Sequence, residues 1–308
     1  MDWLLAVSIC QAAVTAGTPI LFAALGEIMA ERVGILNLGV EGMMLVGAVS
    51  GFLVTVRTGS PWLGLIASLL AGGLMALIHA VLSVGLRANQ VVSGLALTLF
   101  GTGLSGYLGK PLIGVPAPST FRIITVPLLG DIPFLGPVLF AHDYLVYISY
   151  LLVPALWFFL YRTRPGLHMR SVGENPAAAD AMGISVVGTR YLYTVVGGML
   201  AGAGGAYLSL AYAPTWLENM TAGRGWIAVA LVIFAGWNPL AALGGSYLFG
   251  GVDALGLRIQ AVGTVVPSFF LSMLPYIFTI LVLLASARGR RRLVAPGALG
   301  LAYDREGH

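Results

Sequence analysis

The chain carries little charge for its length of 308 residues. Charged residues make up 9% of it, whereas 58% of the residues are hydrophobic and the mean hydropathy is +0.92. Soluble globular domains contain about 25% charged residues, so this composition argues against a large soluble core. It predicts an all-α fold, namely a polytopic bundle of membrane-spanning helices in a single domain over residues 1–308.

Residue types that build many catalytic and metal sites are also scarce. A single cysteine, Cys10, excludes a disulfide framework and a thiolate metal site. The sequence has no HExxH motif, and no GxxxxGK[ST] motif for cradling nucleotide phosphates. We therefore expect no catalytic residue, metal or cofactor on this chain. The first three residues lack a basic region, so the first apolar segment is predicted to be a retained span.

Apolar segments predict eight or nine transmembrane helices, since about 20 residues cross the hydrocarbon core. The segment at 225–236 is short, and if it is re-entrant the count falls by one and the N-terminus moves inside. Two GxxxG pairs, Gly47/Gly51 and Gly198/Gly202, predict close helix contacts. The predicted segments are 4–25, 38–56, 62–86, 91–108, 143–161, 191–212, 225–236, 240–260 and 267–285.

The distribution of cations predicts the orientation. Of 16 cations, fifteen are Arg and one is Lys110. With nine crossings, eleven cations fall on the side of residues 162–190 and five on the other side. Cations are enriched in cytoplasmic connections, so 162–190 and the basic tail at 287–308 are predicted inside. Because the net charge of +4 is concentrated beside the spans, nucleic acid is not expected as a partner.

Residues 109–142 form a proline-rich connection with few charges, predicted to lie outside. Repeated proline excludes a regular helix across it, and its apolar content suggests that it folds down onto the bundle. The alternative is a plain tether between two halves. Its prolines are Pro111, Pro116, Pro118, Pro127, Pro133 and Pro137.

A short helix is predicted inside the cytoplasmic connection at 162–190. Asn175 suits an N-cap, Pro176 suits the first helical position, and the residues AAADAM are good helix formers. Gly183 stands where a left-handed residue ends a helix. About two turns are too few to be stable alone. The helix is therefore either a surface turn that covers the bundle or a docking element for a soluble partner.

Ionisable residues crowd the stretch from 26 to 44. Glu27, Glu31 and Arg32 either face the bundle interior or remain wet at the interface. Asn37 and Glu41 are expected in the interior, because an apolar run follows them directly. If the backbone between Asn37 and Glu41 is helical, the two side chains lie one turn apart on one face.

A faint internal echo links two parts of the chain. Residues 26–51 and 219–236 each carry a polar stretch followed by a glycine-interrupted apolar helix, and the predicted topology runs these helices in opposite directions. Inverted repeats with broken helices are typical of many transporters. Chance similarity in a glycine-rich membrane protein is the alternative.

Four motifs in order carry a family resemblance: GEIMAERVGILNLGVEGMMLVGA, RANQVVSGLALTLFGTGLSGY, VGENPAAADAMGI and GRGWIAVALVIFAGWNPL. Together they resemble permease subunits of bacterial ATP-binding-cassette (ABC) importers. The nucleoside-uptake branch, which is related to the simple-sugar and branched-chain amino-acid permeases, is the most similar. The resemblance spans 26–285 and implies a membrane permease in the bacterial inner membrane.

In that family a cytoplasmic loop helix docks on a separate ATPase, which would bind ATP and Mg, so this chain itself is not expected to be an enzyme. The resemblance also implies a second, related but different permease chain and an extracytoplasmic substrate-binding lipoprotein. The mechanism would be alternating access, driven through a coupling helix. The implied coupling residues are Gly173, Glu174, Asn175, Pro176, Ala177, Ala178, Ala179, Asp180, Ala181, Met182 and Gly183.

A nucleoside is neutral and combines an aromatic base with a polar ribose. Amide side chains beside aromatic rings suit it better than fixed charges. Six polar or aromatic residues near broken helices are therefore candidates for the substrate path, although helix capping or interhelical hydrogen bonding is an alternative role for most of them. They are Asn37, Glu41, Asn89, Gln90, Asn219 and Trp226.

Other functions stay open at this point. Simple sugars or branched-chain amino acids fit the same mechanism, because a separate binding protein largely sets specificity. A proton-coupled secondary transporter would use His79, Glu41 or Asp253 as a relay. A membrane scaffold would use the cytoplasmic loop to bind a soluble protein without transporting anything.

Overall fold

A computed structural model describes residues 2–261, 268–288 and 295–304 of the chain. Over these ranges the fold is a helical bundle with one small sheet. The helices in chain order are α1 Asp2–Glu31, α2 Val40–Thr58, α3 Pro61–Ala80, α4 Gln90–Gly109, α5 Leu135–Leu139, α6 Tyr144–Arg162, α7 Arg164–Glu174, α8 Pro176–Ala181, α9 Val186–Tyr207, α10 Arg224–Phe234, α11 Pro239–Ala261 and α12 Ser268–Arg288, and the strands are β1 Ile123–Thr125 and β2 Ala141–Asp143.

Within the described ranges, seven helices are long and apolar enough to cross a membrane. The predicted count of eight or nine spans is higher than this. The difference arises at the C-terminal half, where α10 has 11 residues. At about 1.5 Å per residue it covers roughly half of the hydrocarbon core. The further long helix, α12, has 21 residues and packs against α11 and α10.

The chain between α9 and α11 traverses the bundle in two unlike halves. We call the end of the bundle that carries α7 and α8 the inner end and the opposite end the outer end. Trp216 bridges to Ile113 at the outer end. The chain then descends without helix as far as Glu41, and α10 continues to Arg32 at the inner end. This segment is the broken span that its length predicts.

Two helix starts meet inside the bundle. α2 begins beside α10, because Gly225 packs against the backbone of Glu41. From there α2 runs to the outer end at Thr58, whereas α10 runs to the inner end. The opposite directions expected for the two halves of the echo are thus observed, and the repeat as a whole stays a prediction.

Glycine contacts hold α2, α3 and α9 together. A Cβ atom at Gly47 would lie 2.6 Å from the Cα of Gly202, and one at Gly72 would lie 2.9 Å from the same atom. Gly198 also packs against Ala76 and Gly72, and Gly51 against Gly64 and Ser68. Both predicted GxxxG contact faces are therefore confirmed. They allow backbones to approach in a medium where burial of apolar area gives little driving force.

The proline-rich connection does fold onto the bundle, as predicted. The amide of Phe121 donates to the carbonyl of Leu210 (3.2 Å) and that of Ala117 to Pro214 (3.4 Å). The connection contains the antiparallel pair β1 and β2, with Ile124 opposite His142. The all-α prediction is confirmed for the bundle, and this small sheet is a local addition that the β-branched residues Ile123, Ile124 and Thr125 favour.

Two helices rather than one occupy the inner connection. Besides the predicted short helix, α7 forms over 11 residues and buries Met169 and Val172 against the bundle. Thr163 caps α7 by accepting a hydrogen bond from the Gly166 amide (3.2 Å), and Pro165 lies in its first turn. These are ordinary helix-start signals that the sequence contains. The basic run at 289–294 and residues 305–308 of the predicted tail lie outside the described residues.

Candidate functional site

The predicted short helix is present as α8, and its cap and end are as expected. The side chain of Asn175 accepts a hydrogen bond from the Ala178 amide (3.0 Å), and Gly183 has a φ of +80°. Ala179 is buried against the bundle, while Met182 is 82% exposed. α8 therefore sits at the surface with one apolar anchor below and an apolar side chain directed outward.

A shallow groove of about 530 Å³ adjoins α8 at the inner end. Exposed apolar side chains, Leu167 and Met182, contribute to its wall. Exposed apolar area next to a short helix at the end of a membrane bundle is typical of a protein-docking surface. The residues that line it are Leu167, His168, Ser171, Met182, Gly183, Ile184, Ser185 and Thr189.

Glu41 is tied to the start of α10. Its carboxylate accepts hydrogen bonds from the Thr221 hydroxyl (2.5 Å), the Gly223 amide (2.9 Å) and the Gly225 amide (2.7 Å). The first amides of a helix have no partners within the helix, and its N-terminus favours negative charge. Glu41 of α2 therefore caps α10, a role that joins two helices far apart in sequence.

Asn37 and Gln90 are buried and serve the connection between α1 and α2. The Gly39 amide donates to the Asn37 side chain (3.0 Å), and the Leu36 amide donates to the Gln90 side chain (2.8 Å). α2 begins at Val40. Asn37 is thus not in a helix, so the condition under which it would share a helical face with Glu41 is not met. The side-chain oxygens of Asn37 and Gln90 thus each accept a hydrogen bond from the backbone of this connection.

The ring of His79, in α3, contacts both α4 and the connection between α1 and α2. Its ring lies 2.9 Å from the Ser93 hydroxyl and 3.1 Å from the Leu36 carbonyl oxygen. Both ring nitrogens are therefore occupied by partners from neighbouring segments. This arrangement matches a packed, hydrogen-bonded histidine.

The acidic pair Glu27 and Glu31 faces the interior, since each residue is 1% exposed. The Asn37 amide donates to Glu27 (3.1 Å), and the indole N–H of Trp237 donates to Glu31. Arg32 is half-buried and donates to the Trp237 carbonyl (3.2 Å). Of the two alternatives for these residues, the structure supports the interior one. The contacts of Glu31 and Arg32 join the end of α1 to the turn after α10, whereas that of Glu27 joins α1 to the α1–α2 connection.

The other three path candidates are exposed. Asn89 caps α4 by accepting from the Val92 amide (3.1 Å), and Asn219 occupies a left-handed turn with φ of +57°. Trp226 lies on the exposed side of α10. The six candidates therefore do not converge on one cavity, and their assignment to a substrate path stays a prediction.

Asp253 pairs with Arg224. The guanidinium of Arg224 donates to the carboxylate at 2.7 Å and lies over the ring of Tyr212, 5.5 Å from its centroid. This ion pair lies beside the N-terminus of α10 and joins α10 to α11. It is the second charged contact at that N-terminus, after the one with Glu41 of α2. The carboxylate of Asp253 is thus engaged by a neighbouring cation.

The outer end holds a cavity of about 500 Å³ between α1, α11 and the proline-rich connection, which sequence reading did not find. Volumes of about 300–1,000 Å³ are usual for small-molecule sites. Aromatic, amide and hydroxyl groups contribute to its wall together with small apolar residues. The lining residues include Ser8, Gln11, Thr15, Phe121, His142, Asp143, Tyr212 and Arg258.

Burial shifts the pKa values of His142 and Asp143, which line this cavity. It lowers the pKa of His142, although the Val138 carbonyl and the Asp143 carboxylate both favour the protonated ring. Burial also raises the pKa of Asp143, against the amides of Val146 and Leu145 that stabilise its charged form. Asp143 accepts from both amides and so caps α6. The wall of the cavity is thus held in place by a helix start.

A family model described as branched-chain amino acid transport system / permease component matches residues 9–286. The chain belongs to this permease family. The permease is 36% identical to the guanosine ABC transporter permease protein NupQ of Bacillus subtilis, over 96% of each chain. It is 37% identical to the nucleoside ABC transporter permease protein NupC of Lactococcus lactis, over 93% of each.

A third relative carries a different substrate in its name. The permease is 44% identical to TsgC13 of Haloferax volcanii, which is named provisionally as a glucose ABC transporter permease protein, over 98% of each chain. Together the three relatives identify the chain as an ABC transporter permease subunit with multiple membrane spans. Relatives at these identities name both nucleosides and glucose, so similarity leaves two substrate classes.

Proposed function

We propose that this permease imports nucleosides by alternating access and that α8 docks on a separate ATPase subunit. The observation that carries the proposal is a capped, surface-exposed helix at the cation-rich end of a chain that belongs to an ABC permease family. The residues from Gly173 to Gly183 would form the contact. In this reading the ATPase binds ATP and Mg and performs the hydrolysis.

The base of α8 suits the transmission of force. Gly173, at the end of α7, packs against the backbone of Arg32 with no room for a Cβ atom. Arg32 in turn donates to the carbonyls of Gly236 and Trp237 after α10. A displacement of α7 and α8 would therefore reach the half-helix α10 in two steps, through the backbone contact between Gly173 and Arg32 and then through the Arg32 guanidinium. Packed elements of this kind move as rigid units.

Two features favour a nucleoside. NupQ and NupC, each similar over at least 93% of both chains, have guanosine or nucleoside in their names. The outer cavity also combines the rings of Phe121 and Tyr212 with the amide of Gln11. Ring faces can stack on a base, and an amide can donate to a sugar hydroxyl or a base carbonyl. We assign this cavity as the first contact for substrate at the outer end.

Glucose is the second candidate substrate, because TsgC13 is the relative of 44% identity. Glucose has no aromatic face and would use hydroxyl and amide contacts alone. Leucine, which the family description suggests, has two charges as a zwitterion and would need fixed partners. The proposed complex further contains a related second permease, an extracytoplasmic binding lipoprotein, and a bacterial inner membrane around them.

Substrate-stimulated ATP hydrolysis in liposomes with the complete complex tests this proposal. Guanosine, glucose and leucine are added in turn to wild type and to Asn175→Arg and Ala178→Asp, with the exposed Ala88→Asp as the control for added charge. We expect stimulation by guanosine alone, lost in both α8 variants and kept in the control. Full stimulation in the α8 variants would exclude docking through α8.

The same liposomes separate the remaining alternatives. Stimulation by glucose instead of guanosine would keep the mechanism and change the substrate. Uptake that persists without the ATPase and follows a proton gradient would indicate a secondary transporter. Absence of both uptake and stimulated hydrolysis in an assembled complex would favour a scaffold.

A further inference from the structure

The C-terminal tail folds back onto the inner end of the bundle. Residues 295–304 follow the last helix and the undescribed run at 289–294, and they lie against α7 and the α1–α2 connection. Ala298 is 4% exposed and Pro296 is also buried. The segment is therefore packed against the inner end of the bundle.

Backbone hydrogen bonds attach the tail to two different segments. The Ala298 amide donates to the Gly173 carbonyl (2.8 Å), and the Gly300 amide donates to the Gly34 carbonyl (3.1 Å). In addition, the Gly297 amide donates to the carboxylate of Glu174 (3.2 Å). The tail thus bridges the end of α7, directly before α8, to the connection between α1 and α2.

The junction leaves no space for side chains. A Cβ atom at Gly34 would lie 2.9 Å from the Ala298 carbonyl oxygen, and one at Gly173 would overlap the Arg32 carbonyl and approach the Gly34 nitrogen to 3.4 Å. Three backbones, from α7, from the α1–α2 connection and from the tail, therefore meet directly. Contacts between backbones cannot be absorbed by rotamer changes, so the three move together.

Buried Arg190 fastens the same junction from α9. Its guanidinium donates through Nε to the Val33 carbonyl (3.2 Å) and through Nη1 to the Leu301 carbonyl (3.0 Å). It is 1% exposed, so the planar fork is held in one orientation. Farther along, Asp304 pairs with Arg87 of the α3–α4 turn. Because this ion pair is exposed, it orients the end of the tail toward the α3–α4 turn and contributes little to the free energy of unfolding.

We propose that residues 295–304 act as a strap that positions α8 for coupling. The strap makes the end of α7, the α1–α2 connection and the start of α9 one unit, so that a movement of α8 is passed to the helices that line the bundle. The functional part of this inference rests on the proposed docking of α8 on an ATPase. The mechanical part rests on the contacts of the chain itself.

The mechanical part is tested by hydrogen–deuterium exchange on the full permease in lipid nanodiscs. Ala298→Asp places a carboxylate in the buried junction, Ala298→Gly keeps the amide donor, and Ala302→Asp adds the same charge at an exposed position of the tail. We expect faster exchange in 32–39 and 171–185 for Ala298→Asp and for deletion of 295–308, with wild-type exchange in the other two. Unchanged exchange in both disruptive variants would overturn the strap.

The functional part is tested by the number of substrate molecules imported per ATP hydrolysed in the complete complex. A merely destabilised permease would lose uptake and stimulated hydrolysis together, leaving this ratio unchanged. A positioning strap predicts that Ala298→Asp lowers the ratio roughly threefold or more, the range that coupling residues show. Ala298→Gly and Ala302→Asp should keep the wild-type ratio.

The two proposals fail in different ways. If the wild-type complex shows no stimulated hydrolysis with any substrate, the importer proposal fails, and the exchange experiment still decides the strap. If the wild type is stimulated and Ala298→Asp keeps both its ratio and its slow exchange, the strap is wrong and the importer proposal stands.

Discussion

The carboxylate of Glu41 accepts three hydrogen bonds from the segment that opens α10. Its position near a broken helix made it a candidate substrate ligand and a candidate proton relay. In the structure its two oxygens are occupied by protein donors, and it lies 7% exposed. A role as substrate ligand or proton relay and a role as the cap of α10 predict different effects when Glu41 is replaced.

We predict that Glu41→Ala destabilises the permease by about 2–4 kcal/mol, because it leaves buried amide donors without partners. Glu41→Gln, which keeps one acceptor oxygen, should be less damaging. Reversible unfolding in mixed micelles measures both. The matched control is Glu218→Ala, which removes an exposed carboxylate from the same connection. Wild-type stability in Glu41→Ala with loss of uptake would instead support a substrate or relay role.

His142 gives a pH-dependent prediction. Because burial lowers its pKa in the folded state, the unfolded chain binds this proton more readily and stability rises with pH. We expect the contribution of His142 to be lost as the pH falls below about 6.5, the ordinary histidine value. The difference in the free energy of unfolding between pH 7.5 and pH 5.5 should be smaller in His142→Gln than in wild type. The exposed His168→Gln is the control. An equal change in the pH dependence of its stability would contradict the assignment of the effect to His142.

At the scale of helices, glycine decides which surfaces touch. Gly47 of α2 and Gly202 of α9 allow the two backbones to meet, whereas a Cβ atom at Gly103 of α4 would have nothing within 4 Å. The same substitution at these sites should therefore have opposite signs, although all three glycines lie within helices.

Gly47→Ala should destabilise the bundle by about 1–3 kcal/mol, since the added methyl group overpacks a backbone contact. Gly103→Ala should be neutral or stabilising by up to about 1 kcal/mol, because alanine favours a helix more than glycine does. Thermal unfolding of the isolated permease in detergent compares the two. Equal midpoints would contradict the close α2–α9 contact.

Local signals predicted some elements and long-range contacts determined others. The cap at Asn175 and the left-handed Gly183 were readable because both act within a few residues. α7 was missed even though Thr163 and Pro165 mark its start. The role of Glu41 could not be predicted from the sequence, since its partners are up to 184 residues away along the chain. The tail contacts likewise depend on packing that periodicity does not encode.

At the scale of the whole molecule, composition was the most informative feature. Low charge predicted a membrane bundle, and the clustering of arginine predicted which end faces the cytoplasm. The number of spans was harder to predict, because a half-length helix preceded by a non-helical segment of turns does not match the usual length of a crossing. The outer cavity combines residues from five separate segments, so no single motif indicates it.

The orientation can be measured directly. In a Cys10→Ala background, Ser119→Cys on the proline-rich connection should react with a membrane-impermeant maleimide in intact cells. Ala302→Cys in the tail should react only after the membrane is opened, because the cation distribution places that end inside. Labelling of Ala302→Cys in intact cells would reverse the topology and with it the assignment of α8 to the ATPase side.

The contact between Glu41 and α10 also constrains how the protein is made. Gly223, whose amide donates to this carboxylate, lies 182 residues after Glu41, so α2 enters the membrane before its partner has been made. An unpaired carboxylate at membrane depth is costly, and α10 with 11 residues is too short to insert by itself. We therefore expect the contact between α2 and α10 to form late, after the helices between them have entered the membrane.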